Sequence, residues 1–84
     1  MRENRRLIEA LDLEKNGNWD GAHNLLQGLT SSNSAWVHAY LHRKEGDDSN
    51  AAYWYNRAGK PMATESLNEE WSSIYKQLEK ELVE

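Results

Sequence analysis

Hydrophobic residues recur along the chain at spacings of three and four positions, and no stretch alternates apolar and polar residues as a half-buried strand would. Spacings of three and four place side chains on one face of an α-helix. The pattern therefore predicts an all-α fold. The recurring positions are Leu7, Ile8 and Leu11; Ala22, Leu25, Leu26 and Leu29; Trp36, Val37, Tyr40 and Leu41; and Leu67, Trp71, Ile74, Leu78 and Leu82.

Glycines and short polar runs divide this pattern into five helices. The first is expected over about 4–16, the second from about residue 20 to the polar run at 30–34, the third over 34–45, the fourth over 49–58 and the last over 66–83. Gly17, Gly46 and Gly59 end three of them. Ser66 and Glu69 have the spacing of a capping box at the start of the last helix.

The two halves of the chain contain a repeated segment. Gly17-Asn-Trp-Asp-Gly-Ala22 aligns with Gly46-Asp-Asp-Ser-Asn-Ala51, an offset of 46 − 17 = 29 residues. A helix, glycine turn and helix at a fixed period is typical of stacked helical repeats. We therefore predict one helical domain over 1–84, built from repeat-like units at 4–32 and 33–62 and a capping helix at 65–83.

These residues also carry a resemblance. The segment E-G-D-x-x-x-A-x-Y-W-Y-x-R-A, Glu45 to Ala58, resembles the turn and second helix of tetratricopeptide and especially Sel1-like repeats, and Gly17 to Ala22 is similar to a weaker copy. The chain also resembles small uncharacterised bacterial proteins built on W-V-H-A-Y-L-H-R-x-E-G-D. Two units are fewer than the roughly three usually needed for a free-standing array. The last helix is therefore expected to close the stack.

The resemblance implies a groove lined by the leading helix of each unit, and so a non-catalytic protein- or peptide-binding or scaffold module. A basic rim and an aromatic floor suit a peptide with an acidic or carboxylate group. A homodimer is a further expectation, and the alternative is that the last helix fills the groove itself. The expected peptide-binding residues are Asn33, Trp36, Tyr40, Arg43 and Lys44, with Asn4, Leu7, Leu11 and Lys15 in the first unit.

Three histidines give a second hypothesis, a small metal- or ligand-binding helical protein. His38 and His42 are four residues apart, so a helix places both imidazoles on one face at a spacing that suits Zn²⁺. His23 or Glu45 could supply a third ligand. The alternative is structural: each histidine is a neutral core-edge residue that hydrogen-bonds to Tyr55, Tyr53 or a backbone carbonyl. On that alternative no cofactor is expected.

The composition argues against several other classes of protein. The chain has no cysteine, so no thiolate nucleophile or thiolate metal site is available. No catalytic residues are predicted, because the serines, threonines and aspartates fall mostly in turns. A net charge of −4 without a large basic cluster argues against nucleic-acid binding. No apolar run approaches the ~20 residues that span a bilayer, so no membrane association is predicted and the cytoplasm is the expected location.

Overall fold

The computed structural model describes the backbone of residues 2–83 and the side chains of residues 3–82. Within that range the chain forms five α-helices and no strand, so the all-α prediction is confirmed. The helices are α1 (Arg2–Lys15), α2 (Trp19–Leu25), α3 (Ser32–Lys44), α4 (Asp48–Ala58) and α5 (Leu67–Val83). Over these residues no helix has the length and apolar character that a membrane crossing requires.

The turns between α1 and α2 and between α3 and α4 have the same local structure. Gly17 and Gly46 adopt φ angles of +91° and +88°, a conformation that favours glycine. Asn18 and Asp47 then cap the following helices, each accepting a hydrogen bond from the backbone N–H three residues later. The repeated segment thus builds two equivalent turns. The stacking of the two helix pairs as in the resembled repeats stays a prediction.

Several helix ends differ from the sequence-based prediction, and the differences at α2 and α3 have a clear local cause. The second helix was expected to include Leu29, but α2 ends at Leu25, and Gly28 turns the chain with a φ of +83°. α3 begins at Ser32, two residues earlier than expected, because the Ser31 side chain caps it. The predicted capping box forms at the start of α5. The Ser66 backbone N–H donates to the Glu69 carboxylate, and the Glu69 backbone N–H donates to the Ser66 hydroxyl, both at 3.1 Å.

The core forms around α3, which contacts each of the other four helices. α1 packs against α2, and α5 lies across both α1 and α3. The Trp71 indole N–H of α5 donates to the Leu11 carbonyl of α1 at 3.0 Å, which fixes the position of α5 on α1. The main buried cluster consists of Leu7, Ala10, Leu11, Ala22, Leu26, Val37, Tyr40, Leu41, Ile74 and Leu78.

One charged residue of α5 lies in the core. Glu70 is 0% exposed. It lies between Leu67 and Ile74 on the helix surface that packs inward, so its carboxylate enters the core with the apolar stripe. A buried carboxylate needs hydrogen-bond donors, and α3 and α4 supply them.

Candidate functional site

The predicted peptide groove is covered by α5. The Glu70 carboxylate accepts hydrogen bonds from the Trp36 indole at 3.1 Å, from Arg43 Nη1 at 2.8 Å and from the Tyr55 hydroxyl at 2.5 Å. Arg43 also donates to the Glu65 carbonyl. We call Glu70 and its three donors the Glu70 cluster. The two residues expected to anchor a peptide, Trp36 and Arg43, therefore bind a helix of their own chain.

The other predicted peptide-binding residues also have partners within the chain. Asn33 Nδ2 donates to Glu81 Oε1 of α5 at 2.9 Å. Lys44 Nζ lies 2.5 Å from Glu14 Oε2 of α1, and Tyr40 is buried among α1, α3 and α5. Burial and the adjacent Glu14 carboxylate raise the pKa of the Tyr40 hydroxyl. The structure thus places α5 where the alternative of a self-filled groove expects it.

The opposite side of α3 faces α2 and α4, and here the three histidines meet. His38 and His42 project from α3 with nearly parallel rings, whose centroids are 5.8 Å apart. His23 projects from α2, with its ring roughly perpendicular to both and centroids 4.9 Å and 5.4 Å away. One nitrogen from each residue lies within 4.8 Å of the other two. We call these three residues the histidine cluster.

Two tryptophans hold the rings of the histidine cluster in place. The Trp19 indole N–H donates to the Leu41 carbonyl at 2.8 Å, which ties the first turn of α2 to α3. The Trp19 ring stacks on His23 at a centroid distance of 4.9 Å, and Trp54 of α4 stacks on His38 at 4.0 Å. Trp19 was not identified from the sequence as a neighbour of the histidines. Its position four residues before His23 could have indicated that the two side chains share one face of α2.

Glu45 fixes the orientation of His42. Its Oε2 atom lies 2.7 Å from His42 Nδ1. A carboxylate accepts hydrogen bonds, so Nδ1 carries the hydrogen and donates. In the neutral ring Nε2 then keeps its lone pair. Glu45 was considered from the sequence as a possible third ligand, and the structure places it beside His42 Nδ1, outside the group of three histidine nitrogens.

His38 is the least satisfied polar side chain of the cluster. It is 7% exposed, its Nε2 lies 3.3 Å from Nε2 of His23, and its Nδ1 has no hydrogen-bond partner among the residues described. Burial, then the neighbouring His23 and His42, lower the pKa of His38 to about 4. Burial and His42 also lower the pKa of His23. Both rings are therefore neutral at pH 7.

The structural interpretation of the histidines predicted hydrogen bonds to Tyr55, to Tyr53 or to a backbone carbonyl. Tyr55 instead donates to Glu70, and Tyr53 accepts from Arg57 Nη1 at 3.1 Å. His38 contacts α4 through the Trp54 ring. The prediction of tyrosine partners is wrong, because both tyrosine hydroxyl groups have partners away from the cluster.

A second group, His42 with Glu45 and Asp47, also brings three ligand-type atoms within 4.8 Å of one another. Asp47 is committed to α4, since its two oxygens accept from the backbone N–H and the side-chain amide of Asn50 at 3.3 Å and 2.8 Å. These hydrogen bonds lower the pKa of Asp47. The role of Asp47 as the N-cap of α4 explains why it lies in this group.

Comparison of the chain with models of known protein families, with curated proteins and with solved structures found no match. The case for function therefore comes from the geometry of the side chains.

Proposed function

We propose that this protein binds a divalent transition-metal ion, with zinc as the best fit, through Nε2 of His23, His38 and His42. The observation that carries the proposal is the 3.3 Å separation between Nε2 of His23 and Nε2 of His38. Two nitrogens at 2.0–2.1 Å from a tetrahedral Zn²⁺ are about 3.3 Å apart. The same distance lies at the long end of hydrogen-bond contacts, since N–H···O bonds are typically about 2.9–3.0 Å.

The chemistry of the donors supports the same ion. The cluster offers neutral imidazoles and no thiolate or oxygen ligand, a set that suits Zn²⁺, Cu²⁺ and Ni²⁺ and disfavours Mg²⁺ and Ca²⁺. Square-planar coordination, preferred by Cu²⁺ and Ni²⁺, sets neighbouring nitrogens about 2.8 Å apart. The observed 3.3 Å is closer to the tetrahedral value. The ligand nitrogens of the three histidines lie within 4.8 Å of one another.

The surroundings of the cluster also support a metal ion. Glu45 holds His42 as outer-shell carboxylates hold metal-bound histidines, with the coordinating nitrogen directed away. His38 Nε2 has only a long contact with His23, and a metal ion bound to Nε2 would replace that contact with a stronger bond. Nδ1 of His38 would stay without a partner among the described residues.

The proposal is tested by thermal unfolding of the metal-free protein with and without Zn²⁺, together with calorimetric titration. Zn²⁺ at 100 times its Kd should stabilise the protein by about 2.7 kcal/mol, which for a domain of this size raises Tm by about 10 °C or more. The substitution His23→Ala should abolish this rise, because it removes one ligand at the surface and leaves α3 intact. Asn24→Ala, an exposed neighbour on α2, is the matched control and should keep it.

An unchanged Tm in wild type would contradict the proposal. An equal rise in wild type and His23→Ala would also contradict it, because Zn²⁺ would then bind elsewhere. The titration should show one ion per chain for wild type and for the control.

Protein or peptide binding is a second candidate, favoured by one observation. A cleft of about 350 Å³ lies beside the groove, lined in part by Trp36, Lys60 and the 44% exposed Met62. A peptide would use this cleft without displacing α5. Lys60→Glu with Met62→Glu should then remove the proteins captured from a bacterial lysate, whereas Lys76→Glu on α5 should not. Identical captured sets from both variants would contradict this candidate.

A further inference from the structure

The histidine cluster supplies three ligands, whereas Zn²⁺ in closed structural sites takes four from the protein. We propose that the metal ion keeps its fourth coordination position open to water or a small anion, as in catalytic metal sites. This inference rests on the proposed function. It assigns to the site a class of ligand, namely water, hydroxide and small inorganic anions.

The nearby carboxylates explain why the fourth ligand comes from solvent. Glu45 is bound to His42 Nδ1, and Asp47 caps α4 through Asn50. Asp20, in the first turn of α2, is exposed and is not part of the three-histidine group. Among residues 3–82, therefore, no fourth side chain joins the three nitrogens.

The exposure of the three rings shows where solvent reaches the site. His38 and His42 are 7% and 8% exposed, whereas His23 on α2 is only half-buried. The cluster therefore opens to solvent on the side of His23. Trp19 and Trp54 stack on the outer faces of two rings and make the walls apolar. Water and small anions fit such an opening better than bulky ligands do.

The charge of the loaded site favours an anionic ligand. Three neutral imidazoles leave the full +2 charge on the metal ion, and apolar walls screen that charge less than bulk water does. A Zn²⁺ ion held by the three histidines would lower the pKa of a bound water molecule to near 7, so that this water would lose a proton to solvent and become hydroxide. A site of this kind supports the chemistry of water addition and hydrolysis.

The experiment replaces the metal with Co²⁺, whose visible spectrum reports coordination number and ligand exchange. The metal-free protein is loaded with one equivalent of Co²⁺, and the spectrum is recorded while sodium azide is added and, separately, while the pH is raised from 6 to 9. An open position predicts a four-coordinate spectrum that changes saturably with azide and shifts with a single ionisation. The Co²⁺ spectrum of the control variant Asn24→Ala should change with azide and pH as that of the wild-type protein does.

Two other results separate this inference from the proposed function. A four-coordinate spectrum that is unaffected by azide and by pH would show a closed site, which overturns the open position and leaves metal binding intact. A spectrum identical to that of aqueous Co²⁺ would show that the cluster binds no metal, which overturns both. The readout is spectroscopic and requires no substrate.

Discussion

Two buried polar side chains on opposite sides of α3, Glu70 and His38, differ in how completely they are hydrogen-bonded. On the side covered by α5, Glu70 is fully buried and accepts from an indole, a guanidinium and a hydroxyl at 2.5–3.1 Å. On the side that faces α2 and α4, His38 is almost as deeply buried, yet Nδ1 has no partner among the described residues and Nε2 is 3.3 Å from another imidazole. The Glu70 and His38 side chains are buried to a similar degree, but only Glu70 has hydrogen-bond partners for both of its polar side-chain atoms.

This difference indicates what each cluster does. A buried polar group whose hydrogen bonds are complete stabilises one arrangement of the chain. A buried group with missing bonds raises the free energy of the folded state unless an additional ligand binds. The Glu70 cluster therefore stabilises the docking of α5, whereas the histidine cluster is where we propose that an external ligand binds.

The largest effect is expected from Glu70→Ala. Removing the carboxylate leaves the Arg43 guanidinium and two further donors without their acceptor, which should lower the free energy of unfolding by about 3–5 kcal/mol. Urea unfolding followed by tryptophan fluorescence measures this change. Glu79→Ala, an exposed change on the same helix, should stay within about 0.5 kcal/mol. Equal losses in the two variants would refute the structural role of the Glu70 cluster.

The second effect is the pH dependence of the metal-free protein. Burial and the neighbouring histidines lower the pKa of His38 from 6.5 to about 4. Between these values the unfolded chain binds the proton that the folded protein excludes, so stability is full above pH 6.5 and falls as the pH is lowered towards 4. The loss should be on the order of 2–3 kcal/mol.

The stability of the wild-type protein against pH is compared with that of the variant His38→Phe. Phenylalanine keeps an aromatic ring to stack on Trp54 and cannot titrate. The charged neighbours of His23, Asp20 and Glu45, are the same in both proteins. The difference between the two unfolding profiles should appear between pH 6.5 and 4. Superimposable profiles would show that His38 is not held neutral by the fold.

The third effect concerns Glu45, which orients His42 without joining the three-nitrogen group. Glu45→Ala should weaken Zn²⁺ binding about 10- to 100-fold, as loss of an outer-shell carboxylate does elsewhere. Glu45→Gln retains an acceptor for Nδ1–H and should recover part of the affinity. Both variants should unfold at nearly the same urea concentration as wild type without metal. Unchanged Kd values in both would remove Glu45 from the site.

The smallest effect is expected from Tyr53→Ala. Tyr53 is 51% exposed and contacts Arg57, so its loss should change stability by about 0.5 kcal/mol or less and leave the Zn²⁺ Kd unchanged. The structural interpretation of the histidines, in which Tyr53 supports the cluster, predicts a larger loss of stability. A loss of about 2 kcal/mol in the metal-free variant would favour that interpretation.

Local features of the fold could be predicted from the sequence. The spacing of apolar residues in 67–82 and the pair Ser66 and Glu69 specify α5 and its first turn, because both depend on residues three or four positions apart. The two glycine turns follow from the repeated segment for the same reason. The short length of α2 was missed, since its apolar spacing continues to Leu29 after the helix has ended.

The sites depend on contacts between distant segments, which the sequence could specify only in part. The i, i+4 spacing of His38 and His42 placed two ligands on one face, but the distance from His23 depends on how Trp19 ties α2 to α3. The burial of Glu70 was missed because its donors lie 15 to 34 residues earlier in the chain. A helical pattern alone does not show whether distant segments supply hydrogen-bond donors for a charged residue on an apolar stripe.

X-ray absorption at the zinc edge, on the protein loaded with one equivalent of Zn²⁺, tests metal binding at the histidine cluster most directly. The predicted result is three imidazole nitrogens at 2.0–2.1 Å with one additional oxygen ligand, and the loss of one imidazole in His23→Ala. A first shell made only of oxygen atoms, or the same number of imidazoles in wild type and His23→Ala, would contradict the account.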